Sequence, residues 1–165
     1  MSKFTLETLA AEAEINQVLR NYCRSMDRID CELGHTVWHE DGTADYGPIY
    51  SGSGRGFIDM IAGFHRNLAS HFHQIGNTTI ELRGDRATSE TYVTVALLAK
   101  PDGGKQTLTT GRGRYLDKWS RRNGRWAIDH RHFVLDFAFN QDVEAQMGSG
   151  ARDTTDAAYA LFGAA

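Results

Sequence analysis

Asp27 and the run His71-Phe72-His73 are the residues of this chain best suited to moving protons. A carboxylate bonded to one ring nitrogen of a histidine fixes its tautomer and stabilises the imidazolium. The other nitrogen is then free to act as a general base. Asp27 follows Leu19 by eight positions and Cys23 by four, which sets it on the edge of an apolar stripe of Ile15, Val18, Leu19, Tyr22, Cys23 and Met26. Arg20, Asn21, Arg24 and Arg28 take the opposite side. A carboxylate facing a core loses its solvation unless a partner compensates it, and His73 is the partner that would also put it to use. In that reading Arg131 stabilises negative charge on a leaving group or enolate, and Tyr22 donates a hydrogen bond. In the bland reading Asp27 ends its helix and pairs with Arg28 in solvent.

A second chemistry uses the same histidines. His71-x-His73 and His130-x-His132, placed on strands, would each present two imidazoles to one metal ion, and Glu90 could add a carboxylate. Residue types and spacing leave both readings open.

Helices and strands must position these groups. Thr5 reads as the N-cap of a long amphipathic helix over residues 6–29. A shorter helix is expected over residues 31–39, burying Val37 and Trp38 and ended by Asp41-Gly42. The glycine-rich stretch 43–56, with Pro48, reads as short strands and turns around Tyr46 and Tyr50. A third helix over residues 57–69 would bury Ile58, Ile61, Ala62, Phe64 and Leu68. Four strands follow, over residues 71–82, 86–100, 106–120 and 125–139. They are separated by Arg83-Gly84-Asp85, Pro101-Asp102-Gly103-Gly104 and Asn123-Gly124, the last a strong hairpin signal. Helices followed by an antiparallel meander predict an α+β fold with the helices covering one sheet face.

Period two puts His71, His73, Ile75 and Asn77 on one face of the first of these strands, and Phe72, Gly76, Ile80 and Leu82 on the other. On the last strand Trp126, Ile128, His130 and His132 oppose Ala127, Asp129, Arg131 and Phe133. A bulge would exchange such sets, so parity leaves open which of His130 and Arg131 points inward. Polar residues interrupt these strands too often for a purely structural sheet, and a concave sheet enclosing a pocket accounts for them.

The bulk numbers exclude several classes. At 165 residues, with 41% hydrophobic and 24% charged residues and a net charge of −3, the chain reads as one ordinary globular domain with no electrostatic case for nucleic acid or an anionic membrane. Arg121, Arg122 and Arg125 cluster only because they flank the Asn123-Gly124 turn. No apolar run is long enough to span a bilayer and no signal-peptide core follows Met1. Cys23 and Cys31, eight apart on or beside one helix, are about 12 Å apart along its axis and read as reduced thiols, which suits a cytoplasmic protein.

The order of features resembles the SnoaL-like branch of the nuclear transport factor 2-like superfamily. The resemblance rests on Tyr22 and Asp27 in the first helix, Val37-Trp38 with Asp41, the His-x-x-x-Asn pattern His73-Gln74-Ile75-Gly76-Asn77, and Gly84-Asp85-Arg86-Ala87. It continues through Gly113-Arg114-Tyr115-Leu116-Asp117-Lys118-Trp119 and Asn123-Gly124-Arg125-Trp126-Ala127-Ile128-Asp129-His130-Arg131, covering roughly residues 8–137. It implies a cone of helices and curved sheet around a pocket, spanning residues 1–140. Residues 141–165 read as a tail, either a frayed end or an arm packing on a neighbouring subunit. It also implies acid–base chemistry without metal or cofactor, since elimination enzymes of the branch pair an Asp on the first helix with a His on the sheet. Tyr22, five before the Asp, and Arg131 on the last strand match further positions of that pattern; His71, His130 and His132 do not. The expected activity is that of a lyase of dehydratase type or an isomerase acting on an apolar, aromatic or polycyclic small molecule. Trp38, Tyr46, Tyr50, Tyr92, Tyr115, Asn77 and His130 are the expected substrate contacts. A non-catalytic binding protein, a polyketide-type cyclase and a histidine-liganded metalloenzyme are the competing readings. Members of the family are commonly oligomers, and a trimer is expected here ahead of a dimer.

Overall fold

The computed structural model describes residues 4–162, so the outermost three residues at each end of the expected domain and tail lie outside the described residues. Helix α1 (Leu6–Arg28) starts at Thr5, whose hydroxyl accepts from the Thr8 backbone while Thr8 reciprocates. It buries Ile15, Leu19, Tyr22, Cys23 and Met26, the stripe expected from their spacing. It stops at Ile29, which adopts a left-handed conformation (φ 50°) and donates its N–H to the Met26 carbonyl. Helix α2 (Cys31–Thr36) follows, capped by the Asp30 side chain.

Helix α2 is shorter than expected. Trp38 and His39 instead open strand β1 (Trp38–Asp45), and Asp41-Gly42 lies within that strand rather than after a helix. The reason is pairing that local pattern does not record: β1 runs parallel to the last strand, with a register shift between Trp38 and Thr43. A Cβ on Gly42 would stand 2.7 Å from the Ile128 carbonyl oxygen, so glycine permits this close approach. After β2 (Ser51–Ser53), α3 (Gly54–Arg66) begins earlier than expected and buries Phe57, Ile58, Ala62 and His65, leaving Phe64 48% exposed.

Strands β3 (Ser70–Arg83), β4 (Arg86–Leu98), β5 (Gln106–Arg122) and β6 (Arg125–Val143) form the expected antiparallel meander. The six strands make one curved sheet in the order β2-β1-β6-β5-β4-β3, an α+β architecture with α1 and α3 on its concave side. Trp38, Trp119, Trp126, Ile128, Leu19 and Ile15 fill the core at one end of that concavity. The other end stays open.

Beyond β6 the chain turns back and forms α4 (Ala157–Phe162), which contacts α1 and the α2 cap: Tyr159 Oη bonds to Asp30 Oδ2 at 2.6 Å, and the Arg24 guanidinium lies over the Tyr159 and Phe162 rings. Among the described residues no helix is long and apolar enough to cross a membrane. Cys23 and Cys31 are free thiols, and burial pushes the Cys23 thiol up to about 12, which leaves it inert.

Candidate active site

Bulges decide what faces the concavity. In β3 the register shifts between Ile75 and Thr78, so His71, His73 and Ile75 point inward before it, and Thr78, Ile80 and Leu82 after it. Asn77 falls in the bulge and is exposed. In β6 the register shifts at Asp129, so Ile128 and Arg131 both face inward, opposite Trp119 and Asp117 of β5. His130 is thereby turned to the outer face, where its Nδ1 meets the Thr43 hydroxyl, and His132 there meets Asp45.

Strand β3 is a sheet edge, and α1 lies against it. The Asp27 carboxylate uses that edge twice. It accepts the His73 backbone N–H at 3.0 and 3.2 Å, and it accepts from His73 Nδ1 at 2.8 Å. Both side chains are nearly enclosed, 7% exposed for His73 and 13% for Asp27. A carboxylate can only accept here, so Nδ1 carries a proton, and in the neutral ring Nε2 holds the lone pair. The Arg28 guanidinium does not pair with the Asp27 carboxylate. It pairs with Asp156.

His73 lines a cavity of about 470 Å³ whose other walls are almost wholly apolar: Met26 from α1, Phe57, Met60, Ile61 and Phe64 from α3, and Val95, Leu97, Phe133 and Leu135 from the sheet. That volume suits a small-molecule ligand. The polar groups reaching it are Tyr22, Tyr46, Tyr115, His65, His73 and Thr109. The hydroxyls of Tyr22 and Tyr46 are bonded at 2.6 Å. Burial raises the pKa of Tyr22, Tyr46 and Tyr115 well above the ordinary phenol value, so all three act as neutral phenols. A second cavity, of about 450 Å³, is lined by surface charges, among which Arg83 pairs with Glu81 and Arg122 with Asp41 and Asp129.

Several expected site residues lie elsewhere. Arg131 points inward, yet it does not line the cavity. Its guanidinium is fully buried, 4.2 Å from the Tyr22 ring centroid and 3.9 Å from that of Tyr115, and doubly bonded to Asp117 at 2.7 and 2.8 Å. Burial works against its charge, but Asp117, with smaller contributions from Tyr46 and Tyr22, raises its pKa above the ordinary value all the same. Arg131 thus reaches the cavity only through the tyrosines. Trp38 is core, packed so tightly on Gly54 that a Cβ there would lie 2.1 Å from its ring. Tyr50 packs against Phe57 and bonds to the Ser53 carbonyl, and Tyr92 is on the outer face. Asn77 and His130 also lie outside the cavity, for the bulge reasons given above. Tyr22, Tyr46 and Tyr115 do line it.

The four-imidazole metal set is not assembled, because His71 and His73 face inward while His130 and His132 face outward. Glu90 is also outward, paired with Arg114. Among the described residues, no group of three or more His, Cys, Asp or Glu side chains is arranged to hold a metal ion.

One ionisable residue of the cavity was not expected from the sequence. His65, 3% exposed, stacks on His71 with ring centroids 4.1 Å apart and lies 5.6 Å from His73. Its position was legible: it follows Ile58 by seven and Ala62 by three, on the apolar stripe of α3. Asp117 was legible too, since it alternates with the inward residues Tyr115 and Trp119.

No curated protein sequence matches the chain significantly. Solved structures share the fold. A candidate scytalone dehydratase from Novosphingobium aromaticivorans DSM 12444 is 18% identical with a TM-score of 0.72, over 87% of this chain and 95% of its own. The hexachlorocyclohexane dehydrochlorinase LinA-type3 of Novosphingobium barchaimii LL02 is 16% identical with a TM-score of 0.72, over 82% and 93%. A protein of unknown function with a cystatin-like fold from Nostoc punctiforme PCC 73102 is 24% identical with a TM-score of 0.63, over 82% and 96%. The model of the SnoaL-like domain matches residues 7–132, and the chain belongs to that family.

Proposed function

We propose that this protein is a cofactor-independent lyase of dehydratase type, or an isomerase, acting on an apolar, aromatic or polycyclic small molecule. The observation that carries the reading is His73, with Nδ1 bonded to Asp27, on the wall of an otherwise apolar cavity. Nε2 takes a proton from a carbon next to an activating group, and the Asp27 carboxylate stabilises the imidazolium so formed. The electron pair of the broken C–H bond forms the new double bond. In elimination, the leaving group departs with its bonding pair, and the imidazolium proton passes to a departing hydroxyl. In isomerisation the same proton returns to a different carbon. Tyr22 and Tyr46, bonded to each other and uncharged, supply the hydrogen bond to the oxygen on which charge accumulates. Arg131 supports that role electrostatically from behind Tyr22. Two structural neighbours named for the elimination of water and of hydrogen chloride support this class of chemistry.

The test is turnover of a panel of β-hydroxy ketones and related aromatic and polycyclic elimination substrates. With the best substrate, His73→Ala should lower kcat by roughly 10² to 10⁴ while KM stays within about tenfold. Asp27→Asn should cost less, because the imidazole remains. Product formation untouched by both substitutions would eliminate the mechanism, and affinity loss without any chemical change in the ligand would identify a binding protein.

We also propose that the protein self-associates, as a trimer rather than a dimer, through the outer face of the sheet. Phe72, Tyr92, Phe137 and Phe139 are 41 to 55% exposed there, apolar rings that a subunit contact would bury.

A further inference from the structure

The C-terminal arm converges on the short segment that carries Asp27. Arg152 donates to the carbonyls of His65 (2.8 Å) and Leu68 (3.0 Å), and its Nη1 lies 3.3 Å from His71 Nδ1. A guanidinium only donates, so His71 Nδ1 must accept. The proton of a neutral His71 is therefore on Nε2, which donates to the Met26 carbonyl at 2.7 Å. That carbonyl belongs to the residue before Asp27 and is one of the acceptors left over where α1 ends; it also receives the Ile29 N–H. On the other side of Asp27 the arm holds Arg28 through Asp156 at 3.3 Å and Asp30 through Tyr159 at 2.6 Å. The backbone around Asp27 is thus gripped from both sides by a segment outside the residues matched to the family domain.

We propose that Arg152 is a positioning residue for the Asp27–His73 pair: it holds His71 as the neutral Nε2–H tautomer, and through His71 it fixes the end of α1 that aims Asp27 at His73. Its functional meaning rests on the general-base reading above. Two consequences bear on that base. The Met26 carbonyl cannot drift while His71 donates to it, so Asp27 is presented in one orientation. A neutral His71 also keeps a second cation away from His73, whose ring centroid is 6.2 Å distant. A charge at that distance would oppose protonation of His73 during turnover.

The groups facing His71 come from every element around it. Arg152 comes from the arm, His65 stacks on it from α3, His73 is its neighbour on β3, and Asp27 and the Met26 carbonyl come from α1. Burial depresses the basicity of His71, and His73 and Arg152 add to the effect, against the opposing Met26 carbonyl and Asp27. Removing Arg152 takes away a neighbouring cation and the donor that holds His71 Nδ1 as an acceptor, so a proton on Nδ1 is opposed less, although burial still opposes it.

The experiment is long-range ¹H–¹⁵N correlation of the histidine rings in the full-length, ¹⁵N-labelled protein, followed from about pH 8 to pH 5 without substrate. His71 is assigned with His71→Gln. In the wild type His71 should show the neutral Nε2–H pattern throughout. In Arg152→Ala His71 should lose the fixed Nε2–H pattern and take up a proton at higher pH than in the wild type, and the His73 ring signals should shift with it. Arg152→Lys, which keeps a donor, should hold His71 neutral. An Nδ1–H or protonated His71 in the wild type overturns the proposal even if Arg152→Ala fails to fold, and so do identical His71 and His73 spectra in wild type and Arg152→Ala. No substrate enters this measurement, so failure of the general-base reading in the turnover assay leaves its outcome separate.

Discussion

Lowering the pH from about 7.5 to about 5 interrogates His65, the cavity histidine stacked on His71. Burial, reinforced by the neighbouring His71, His73 and Arg152, lowers its pKa to about 3. In the unfolded chain the same imidazole takes a proton near the ordinary value of about 6.5. Between those two values the unfolded state binds more protons than the folded one. Stability is therefore fully present above about 6.5 and is lost as pH falls toward about 3, at roughly 1.4 kcal/mol per pH unit. From pH 7.5 to pH 5 the loss from this one residue works out at about 2 kcal/mol, before most carboxylates begin to titrate. His71, whose pKa is also depressed, changes stability in the same direction. The informative comparison is with His65→Phe, which retains a ring against His71 but cannot take a proton. Urea unfolding at both pH values reads the difference. With a slope of about 1–3 kcal/mol per molar, 2 kcal/mol moves the midpoint by roughly 1 M. Wild type and His65→Phe losing equal stability over this interval would refute the reasoning, since the pH dependence would then belong to other groups. The same experiment bears on mechanism, because a neutral His65 keeps the cavity next to His73 free of a competing cation.

The remaining predictions address packing, faces and assembly. Arg131→Met should destabilise by about 3–5 kcal/mol, because it strands the Asp117 carboxylate, which has no exposed side-chain surface; denaturant melts check this, and Asp117→Leu in the same chain should recover much of the loss. Gly54→Ala should cost about 1–3 kcal/mol through collision with Trp38, whereas Gly63→Ala, on the same helix with nothing within 4 Å of its new methyl, should stabilise by up to about 1 kcal/mol. Thermal melts of the two variants moving in the same direction would contradict the packing described. Chelators should leave turnover of the best elimination substrate unchanged, because the two His-x-His pairs face opposite sides of the sheet. Light scattering should report a trimer at micromolar concentration and a smaller species for Phe137→Asp. A wild-type monomer would remove the proposed interface.

Local periodicity determined a good deal. The 3.6-residue repeat of α1 set Asp27 beside Met26 on a stripe that must meet the sheet, and the two-residue repeat of β3 set His73 on the face that meets it. Both signals survive because each residue's side is counted from near neighbours within one unbroken element. The Asn123-Gly124 turn and the glycine turns fixed the meander in the same local way. Asn123 and Gly124 both take positive φ there.

Tertiary structure decided what lay beyond a break in a repeat. The β3 bulge returns Ile80 and Leu82 to the core and puts Asn77 outside, and the β6 bulge at Asp129 sends Arg131 inward and His130 out. A bulge depends on how two distant strands meet, so neither strand announces it alone. Trp38 reads as helical from its own neighbours, yet pairing with β6, some ninety residues away, makes it strand. Whether Arg131 touches the cavity depends on Tyr22 and Tyr115 standing in front of it, a matter of three elements packing together. The arm had no periodicity to read. Arg152 finds its place only because α3, the turn after it and β3 leave two carbonyls and a ring nitrogen converging at one point, and that convergence exists only in the folded chain.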